Sequence, residues 1–209
     1  PLGVATLSDA QYDQLSEWLD MTAFVDYLII YFYGGAGDWG SYNFYAAAMQ
    51  TDPCQPPEVK LIFSTWDFEE TLGLWWNPSV DITGPDFAGK PDVNICRIYK
   101  RLMENNKFRI LFADRAHKWL FNNGALTPQK CVERWENLAA IIEDAIIGES
   151  GRWGDVDFET GTKSLWDYWI SEVSTSWMGP RTETLLGQLR NRNLYPDIDA
   201  PVFKINGSY

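Results

Sequence analysis

The chain has 209 residues and a formal net charge of −12, and its 17 basic residues are scattered along the sequence. Nucleic-acid binding needs clustered lysine and arginine, so this class of partner is excluded. Apolar residues make up 45% and charged residues 22%, which is typical of one globular domain that folds without a membrane, and no run approaches the ~18 apolar residues of a membrane-spanning helix.

Two helices are predicted near the start of the chain. Apolar residues recur at helical spacing over residues 8–19, with Ser8 as the N-cap, which predicts a short amphipathic helix. The next helix, over residues 22–33, is apolar on nearly all sides, and this pattern predicts that it is buried. Gly34 and Gly35 are expected to end it.

A short hairpin and a set of helices are predicted to follow. Strand-like runs at 43–46 and 60–63 are separated by prolines and predict a loose hairpin, and the Pro-, Gly- and Asp-rich stretch 77–92 predicts a long surface loop. Helices are predicted at 98–104, 107–121, 128–147, 164–177 and 182–192, with breaks at Asn123-Gly124, Gly151, Gly154, Gly161 and Gly179-Pro180. The fold class is therefore α+β and mostly helical.

Three oxygen-bearing side chains are spaced as in phosphoryl-transfer sites. Asp38 follows the apolar helix, Asn43 comes five positions later, and Asp67 precedes Phe68 beyond the hairpin. Protein kinases place a catalytic Asp five positions before a metal-binding Asn, and a second metal-binding Asp opens an Asp-Phe-Gly element. The pattern predicts Asp38 as the catalytic base and Asn43 and Asp67 as metal ligands. Alternatively, Asp38 is an ordinary turn residue.

Other residues leave alternatives open. Glu69 and Glu70 come shortly after Asp67, and two interpretations of them are open. One of them is a further metal ligand, or both are a solvated pair of carboxylates. Most of the tryptophans, including Trp166 and Trp169 on one helix, are expected in the core, although exposed indoles would also suit a sugar. The adjacent Trp75 and Trp76 are expected to line the entrance to the substrate site. The three cysteines form no metal-binding spacing, and one of them must remain unpaired.

Several runs resemble the CotH (spore coat protein H) kinase family, and the resemblance covers nearly the whole chain from about Asp20. In the run over residues 64–73, a Trp-Asp pair precedes a Thr-x-Gly turn as it does in that family. The other similar stretches are Asp26-Tyr27-Leu28, Asn43-Phe44-Tyr45, Phe108, Asp114-Arg115, Asn123-Gly124, Ala125-Leu126-Thr127, Arg134-Trp135, Glu149-Ser150, Arg152-Trp153-Gly154, Arg181 and Leu194-Tyr195-Pro196.

The resemblance implies an atypical bacterial protein kinase that transfers phosphate from ATP, with Mg²⁺ or Mn²⁺, to Ser or Thr of coat or secreted proteins at the cell or spore surface. Asp38 matches the catalytic Asp, and Asn43 and Asp67 match the metal ligands. The fold would be a kinase-like C-terminal lobe without its N-terminal lobe. No Gly-rich loop or phosphate-binding lysine precedes Asp38, so the chain alone is expected to bind nucleotide poorly.

The expected domain organisation is a kinase-like lobe over residues 1–194, incomplete at its N-terminus, and a linker at 195–209 that begins a following β domain. The chain is thus expected to start inside a longer protein. Two other functions stay open. One is a non-catalytic extracellular module that binds a glycan, calcium or a coat partner. The other is a helical scaffold whose active site has degraded.

Overall fold

The structure is a computed structural model that describes residues 6–40, 42–87, 94–154 and 161–198. It is mostly helical with one two-stranded antiparallel sheet, which confirms the predicted fold class. The elements, in chain order, are α1 (Asp9–Ser16), α2 (Met21–Gly34), β1 (Phe44–Met49), β2 (Val59–Thr65), α3 (Asn94–Leu102), α4 (Asn106–Leu120), α5 (Pro128–Trp153), α6 (Lys163–Glu172), a π-helical segment (Val173–Met178) and α7 (Gly179–Asn191).

The first two helices begin where their sequences predict, but α1 ends at Ser16, three residues before the predicted end at Leu19. Ser8 caps α1, because its hydroxyl accepts from the Gln11 amide at 3.3 Å while the Gln11 side chain accepts from the Ser8 amide at 3.0 Å. The α2 helix ends at Gly35 with a left-handed φ of 75°. A Cβ there would lie 2.5 Å from the indole of Trp177, so glycine also permits close packing.

The α2 helix is the centre of the core and is buried on nearly every side, as predicted; Ile30, 43% exposed, is the main exception. It packs against α4, α7 and β2. Asp26 ties it to α4 by accepting from Arg115 Nε at 2.8 Å and from Trp119 Nε1 at 2.7 Å. A helix held on three sides is a rigid base for the loop that follows it.

The hairpin lies with one face on α2. Phe63 of β2 packs against the rings of Phe24 and Tyr27, with centroids 5.4 and 5.7 Å away. The opposite face is open to solvent, as the 57% exposure of Tyr45 indicates. Burial alternates along β2, as the two-residue period of a strand predicts, whereas β1 is exposed beyond Phe44.

The predicted helix break at Gly179-Pro180 is wrong. Helical structure continues without interruption from α6 through the π-helical segment into α7. A proline within an α-helix lacks the N–H of the ladder and clashes with the carbonyl four residues earlier. The wider π turn before Pro180, with Gly179 adding no side chain, relieves that clash. The chain therefore changes its helical twist there instead of stopping.

The α5 helix is longer than predicted and less covered. It continues past residue 147 to Trp153 with Gly148 and Gly151 inside it, because a glycine lowers helix stability by about 1 kcal/mol without ending the helix. Its N-cap, Thr127, is correctly predicted, although no side-chain capping bond forms there. The apolar stripe is exposed in its outer half among the described residues, with Leu138 at 61% and Ile142 at 47%.

Other predictions have mixed outcomes. Trp177 is buried, but the assignment of Trp169 to the core is wrong, since it is 48% exposed. The structure describes all three cysteines, and none forms a disulfide. Residues 77–87 of the predicted loop contain no helix or strand, while 88–92 and most of the predicted 195–209 linker lie outside the described residues. Within the described ranges, no helix is both long enough and apolar enough to cross a membrane.

Candidate functional site

The base of the hairpin brings Asn43 and Asp67 to the same place. Asn43 immediately precedes β1, and Asp67 follows β2 by two residues. Phe44 of β1 pairs with Thr65 of β2 in the antiparallel register. The pairing continues by one residue beyond the strands, because Trp66 N donates to Asn43 O at 3.2 Å. Two residues that are 24 positions apart in sequence therefore lie on one edge.

The side chain of Asn43 connects all three predicted site residues. Its Nδ2 donates to the Asp38 carboxylate and, at 3.2 Å, to the backbone carbonyl of Asp67. The Asp67 carboxylate is close enough to Asp38 to raise the pKa of that group. The structure thus places Asp38, Asn43 and Asp67 around one point, at the end of α2 and the open end of the hairpin.

Two tyrosines of α2 hold this arrangement from below, and sequence reasoning did not single them out. Tyr31 donates its hydroxyl proton to the carbonyl of Asn43 and lies 3.4 Å from the carbonyl of Trp66. Tyr27, one turn earlier, donates to the carbonyl of Trp39 at 2.6 Å. A phenol hydroxyl in a buried helix needs a hydrogen-bond partner. The tyrosines of an otherwise apolar helix were therefore the feature of the sequence from which these contacts could have been predicted.

The loops that carry Asp38 and Asp67 are fixed by aromatic packing. Trp39 is 1% exposed and its indole N–H donates to the carbonyl of Ile82 at 3.1 Å. Phe68 packs edge-on against Tyr31, with ring centroids 4.8 Å apart, and its ring lies against Gly34, where a Cβ would come within 2.6 Å. Each carboxylate therefore sits next to a ring anchored in the core.

Asn43 and Asp67 share an uncommon backbone conformation. Their φ angles are 56° and 54°, in the left-handed region that non-glycine residues rarely occupy. Asn and Asp tolerate this region better than other non-glycine side chains, because their short polar groups bond locally. Such conformations persist where the surroundings impose them and concentrate at functional sites. Here the hairpin pairing and the bonds to Tyr31 and Asn43 impose them.

Burial and neighbouring carboxylates both act on Asp38. Desolvation raises the pKa of the Asp38 carboxyl, and the charges of Glu70, Glu69 and Asp67 raise it further. From the sequence, Glu69 and Glu70 were either a source of one more metal ligand or a solvated pair of carboxylates. In the structure their charges add negative potential to the site. A carboxylate with a raised pKa is a stronger base, and the same negative potential attracts cations.

Asp38→Asn should flatten the acidic part of the stability profile. A carboxyl whose folded pKa exceeds its ordinary value of 3.8 makes the folded state bind more protons than the unfolded state in the window above that value. The free energy of unfolding of the wild type therefore falls as pH rises through this window. The variant lacks this loss, so its stability relative to the wild type should be greater at about pH 7 than at about pH 4.

Urea unfolding of both proteins at the two pH values, with a chelator present, measures this difference. Asp144→Asn, at an exposed position on α5, is the matched carboxylate-to-amide control. A difference between Asp38→Asn and the wild type that stays constant with pH would contradict the electrostatic description of the site.

The oxygen atoms at this point suit a hard divalent cation. Mg²⁺ and Mn²⁺ prefer carboxylate and amide oxygens, and Mg²⁺ is usually held by one or two carboxylates together with substrate phosphates. Asp67 and the Oδ1 atom of Asn43 provide such donors beside Asp38. In the parts of the chain that the structure describes, no three His, Cys, Asp or Glu residues are grouped to hold a metal. A cation here would therefore depend on the Asn43 amide and on phosphate oxygens.

The family model described as CotH kinase protein matches residues 3–177, which is most of the chain and includes Asp38, Asn43 and Asp67. No curated protein matches the chain, and no solved structure does.

Proposed function

The chain belongs to the CotH kinase protein family, and from this premise we propose that it carries the catalytic and metal-binding half of a kinase that phosphorylates Ser or Thr of coat or secreted proteins. The observation that supports the proposal is the meeting of Asp38, Asn43 and Asp67 through the Asn43 amide. The Asn43 side chain contacts the Asp38 carboxylate and the backbone of Asp67, and each of the three residues is proposed to have a function in phosphate transfer.

In the proposed reaction, Asp38 accepts the proton of the acceptor hydroxyl. The hydroxyl oxygen forms a bond to the γ-phosphorus of ATP, the bond from that phosphorus to the β-γ bridging oxygen breaks, and ADP leaves. Mg²⁺ or Mn²⁺, when bound by Asn43 and Asp67, would neutralise charge on the phosphates. The raised pKa of Asp38 favours uptake of the proton, and the bond from Asn43 keeps the carboxylate oriented.

The nucleotide cradle is proposed to lie outside these residues. Protein kinases hold the phosphates with a Gly-rich loop and a strand lysine, and the sequence before Asp38 offers neither. We therefore expect the chain alone to bind the cation but to bind ATP weakly, and the longer protein to transfer phosphate. We further propose the cell or spore surface as its place of action.

The test compares wild type and Asp67→Ala in two measurements. Electron paramagnetic resonance of Mn²⁺ with the chain should show affinity reduced by about tenfold or more in the variant, because one of few charged ligands is gone. Transfer of labelled γ-phosphate from ATP by the longer protein should fall in parallel. Asp144→Ala, remote on α5, is the control and should match the wild type. Unchanged Mn²⁺ affinity and transfer in Asp67→Ala would refute the proposal.

A further inference from the structure

A cavity of about 250 Å³ opens between the loop at residues 72–78 and the junction of α6 with the π-helical segment. Three large indoles line it and are open to solvent: Trp75 is 64% exposed, Trp169 is 48% exposed and Trp76 is 45% exposed. Each indole could remove a large apolar area from water, so leaving three exposed around one cavity is costly for the free protein. Such a cluster indicates a ligand.

Two of these rings are held in place by other rings. Trp76 meets Phe87 edge to face with centroids 5.6 Å apart, and Trp169 meets Tyr168 in the same way at 5.2 Å. Ring contacts of this kind fix the orientation of an indole before a ligand arrives, which reduces the entropy lost on binding. The cavity is therefore a preformed pair of platforms with Trp75 beside them.

The rim of the cavity carries hydrogen-bonding groups. Glu172 and Ser176, four residues apart along the π-helical junction, line it, and neither side chain has a hydrogen-bond partner among the described residues. Asn77 lines it as well, with its carboxamide oxygen accepting from the Ser79 amide at 2.9 Å. Single π turns inside α-helices are frequent at functional sites, and here the turn carries Ser176 on the cavity wall together with Glu172 just before it.

We propose that this cavity is a carbohydrate site, in which the apolar face of one pyranose ring stacks on the indoles of Trp75, Trp76 and Trp169 while its hydroxyls bond to Glu172, Ser176 and Asn77. A pyranose has C–H groups on its faces and hydroxyls around its edge, which matches apolar walls and a polar rim. The cavity volume is below the ~300–1,000 Å³ of pockets for drug-sized ligands, which suits a single ring.

Two other ligands fit less well. A nucleotide also stacks on indoles, but nucleic-acid sites pair stacking with cations, and none of the described residues that line this cavity is a lysine or an arginine. A quaternary ammonium group would suit the indoles and one carboxylate, yet it has no hydrogen-bonding group for Ser176 or Asn77. A neutral, hydroxyl-rich ring engages every kind of group on the cavity wall.

The cavity adjoins the site described above. Trp76 and Phe87 lie against Gly37, the residue before Asp38, with Trp76 Nε1 3.5 Å from where a Cβ of Gly37 would stand. The amide of Leu72, at the start of the cavity loop, donates to the carbonyl of Gly34 at 2.9 Å. A sugar bound here would hold a glycan or glycoprotein next to Asp38. Sugar binding itself does not depend on phosphate transfer.

The test titrates the chain with the methyl pyranosides of glucose, galactose, mannose and N-acetylglucosamine and with their linear tetramers. Saturation-transfer NMR and indole fluorescence report binding. We expect at least one of these sugars to bind, with Trp75→Ala and Trp169→Ala each weakening affinity by about tenfold and Glu172→Gln by a smaller factor. Trp75 and Trp169 are exposed and Glu172 is partly exposed, so the variants should keep the circular dichroism of the wild type.

Two controls separate this inference from the proposed function. Trp153→Ala removes an exposed indole at the far end of α5, and Asp38→Asn removes the proposed base; both should leave sugar affinity unchanged. Absence of binding by every sugar tested would overturn the inference. So would binding that survives Trp75→Ala together with Trp169→Ala, or binding of tetramethylammonium or AMP, but of no sugar, with the same dependence on tryptophan.

Discussion

Replacing Asp38 by Asn should reduce the proposed phosphate transfer about 10²–10⁴-fold in kcat, the range attributed to a positioned general base. An amide of the same shape can still accept the bond that Asn43 Nδ2 now makes to the carboxylate, so the loop should keep its geometry. What it cannot do is take up the proton of the acceptor hydroxyl. The expected loss is therefore in the chemical step, measured as kcat in a steady-state assay with labelled ATP.

The binding constants distinguish a base from a metal ligand. If Asp38 acts as the base, the KM for ATP and the affinity for Mn²⁺ should change little in Asp38→Asn, whereas Asp67→Ala should weaken Mn²⁺ binding. Asp144→Asn serves as the carboxylate-to-amide control on an exposed helix face. Should Asp38→Asn lose Mn²⁺ affinity as severely as Asp67→Ala, Asp38 would be a ligand and the assignment of the base would fail. Retained kcat would refute a catalytic function altogether.

The proximity of Asp38, Asn43 and Asp67 could be predicted because it depends on local features of the sequence. A buried apolar helix, a five-residue spacing and a short hairpin are all readable from periodicity and turn residues, and a hairpin necessarily returns the chain to its start. Their chemical functions remain predictions. The left-handed backbone of Asn43 and Asp67 was not predicted, because it results from the pairing across the hairpin base and from Tyr31.

Elements fixed by distant contacts were the ones that sequence reasoning missed. Gly179-Pro180 carries a strong local signal for a helix end, yet helix continues because Trp177 and Arg181, on either side of it, are both anchored to the end of α2. Trp169 lies at helical spacing from Trp166, but α6 contacts α5 at the neighbouring residue instead. The carbonyl of Ile170 accepts a hydrogen bond from the indole N–H of Trp135 in α5 at 3.0 Å. Tertiary contacts determined the structure in both cases, and the local sequence pattern does not encode those contacts.

Arg181 should be the most important single side chain for stability. Its guanidinium is fully buried and donates to four backbone carbonyls: those of Phe32 and Tyr33 at the end of α2, and those of Pro78 and Val80 in the segment between β2 and α3. The last carbonyls of a helix have no partners of their own, and a cation there also interacts well with the helix dipole. Burial lowers the pKa of Arg181 to about 10, so the group stays charged at neutral pH.

Arg181→Met should therefore lower the free energy of unfolding by about 3–5 kcal/mol, a large share of the ~5–15 kcal/mol of a typical domain. Methionine fills much of the volume but leaves the four carbonyls buried without donors. Arg181→Lys keeps the charge without the planar fork, so it should lose less and keep the experiment informative if the methionine variant does not fold. Arg152→Met, at an exposed position on α5, is the control and should change stability by less than about 0.5 kcal/mol.

Urea unfolding followed by circular dichroism measures the stability of all three variants. A loss below about 1 kcal/mol in Arg181→Met would mean that water satisfies these carbonyls, and that the helix end which precedes Asp38 is held by packing alone.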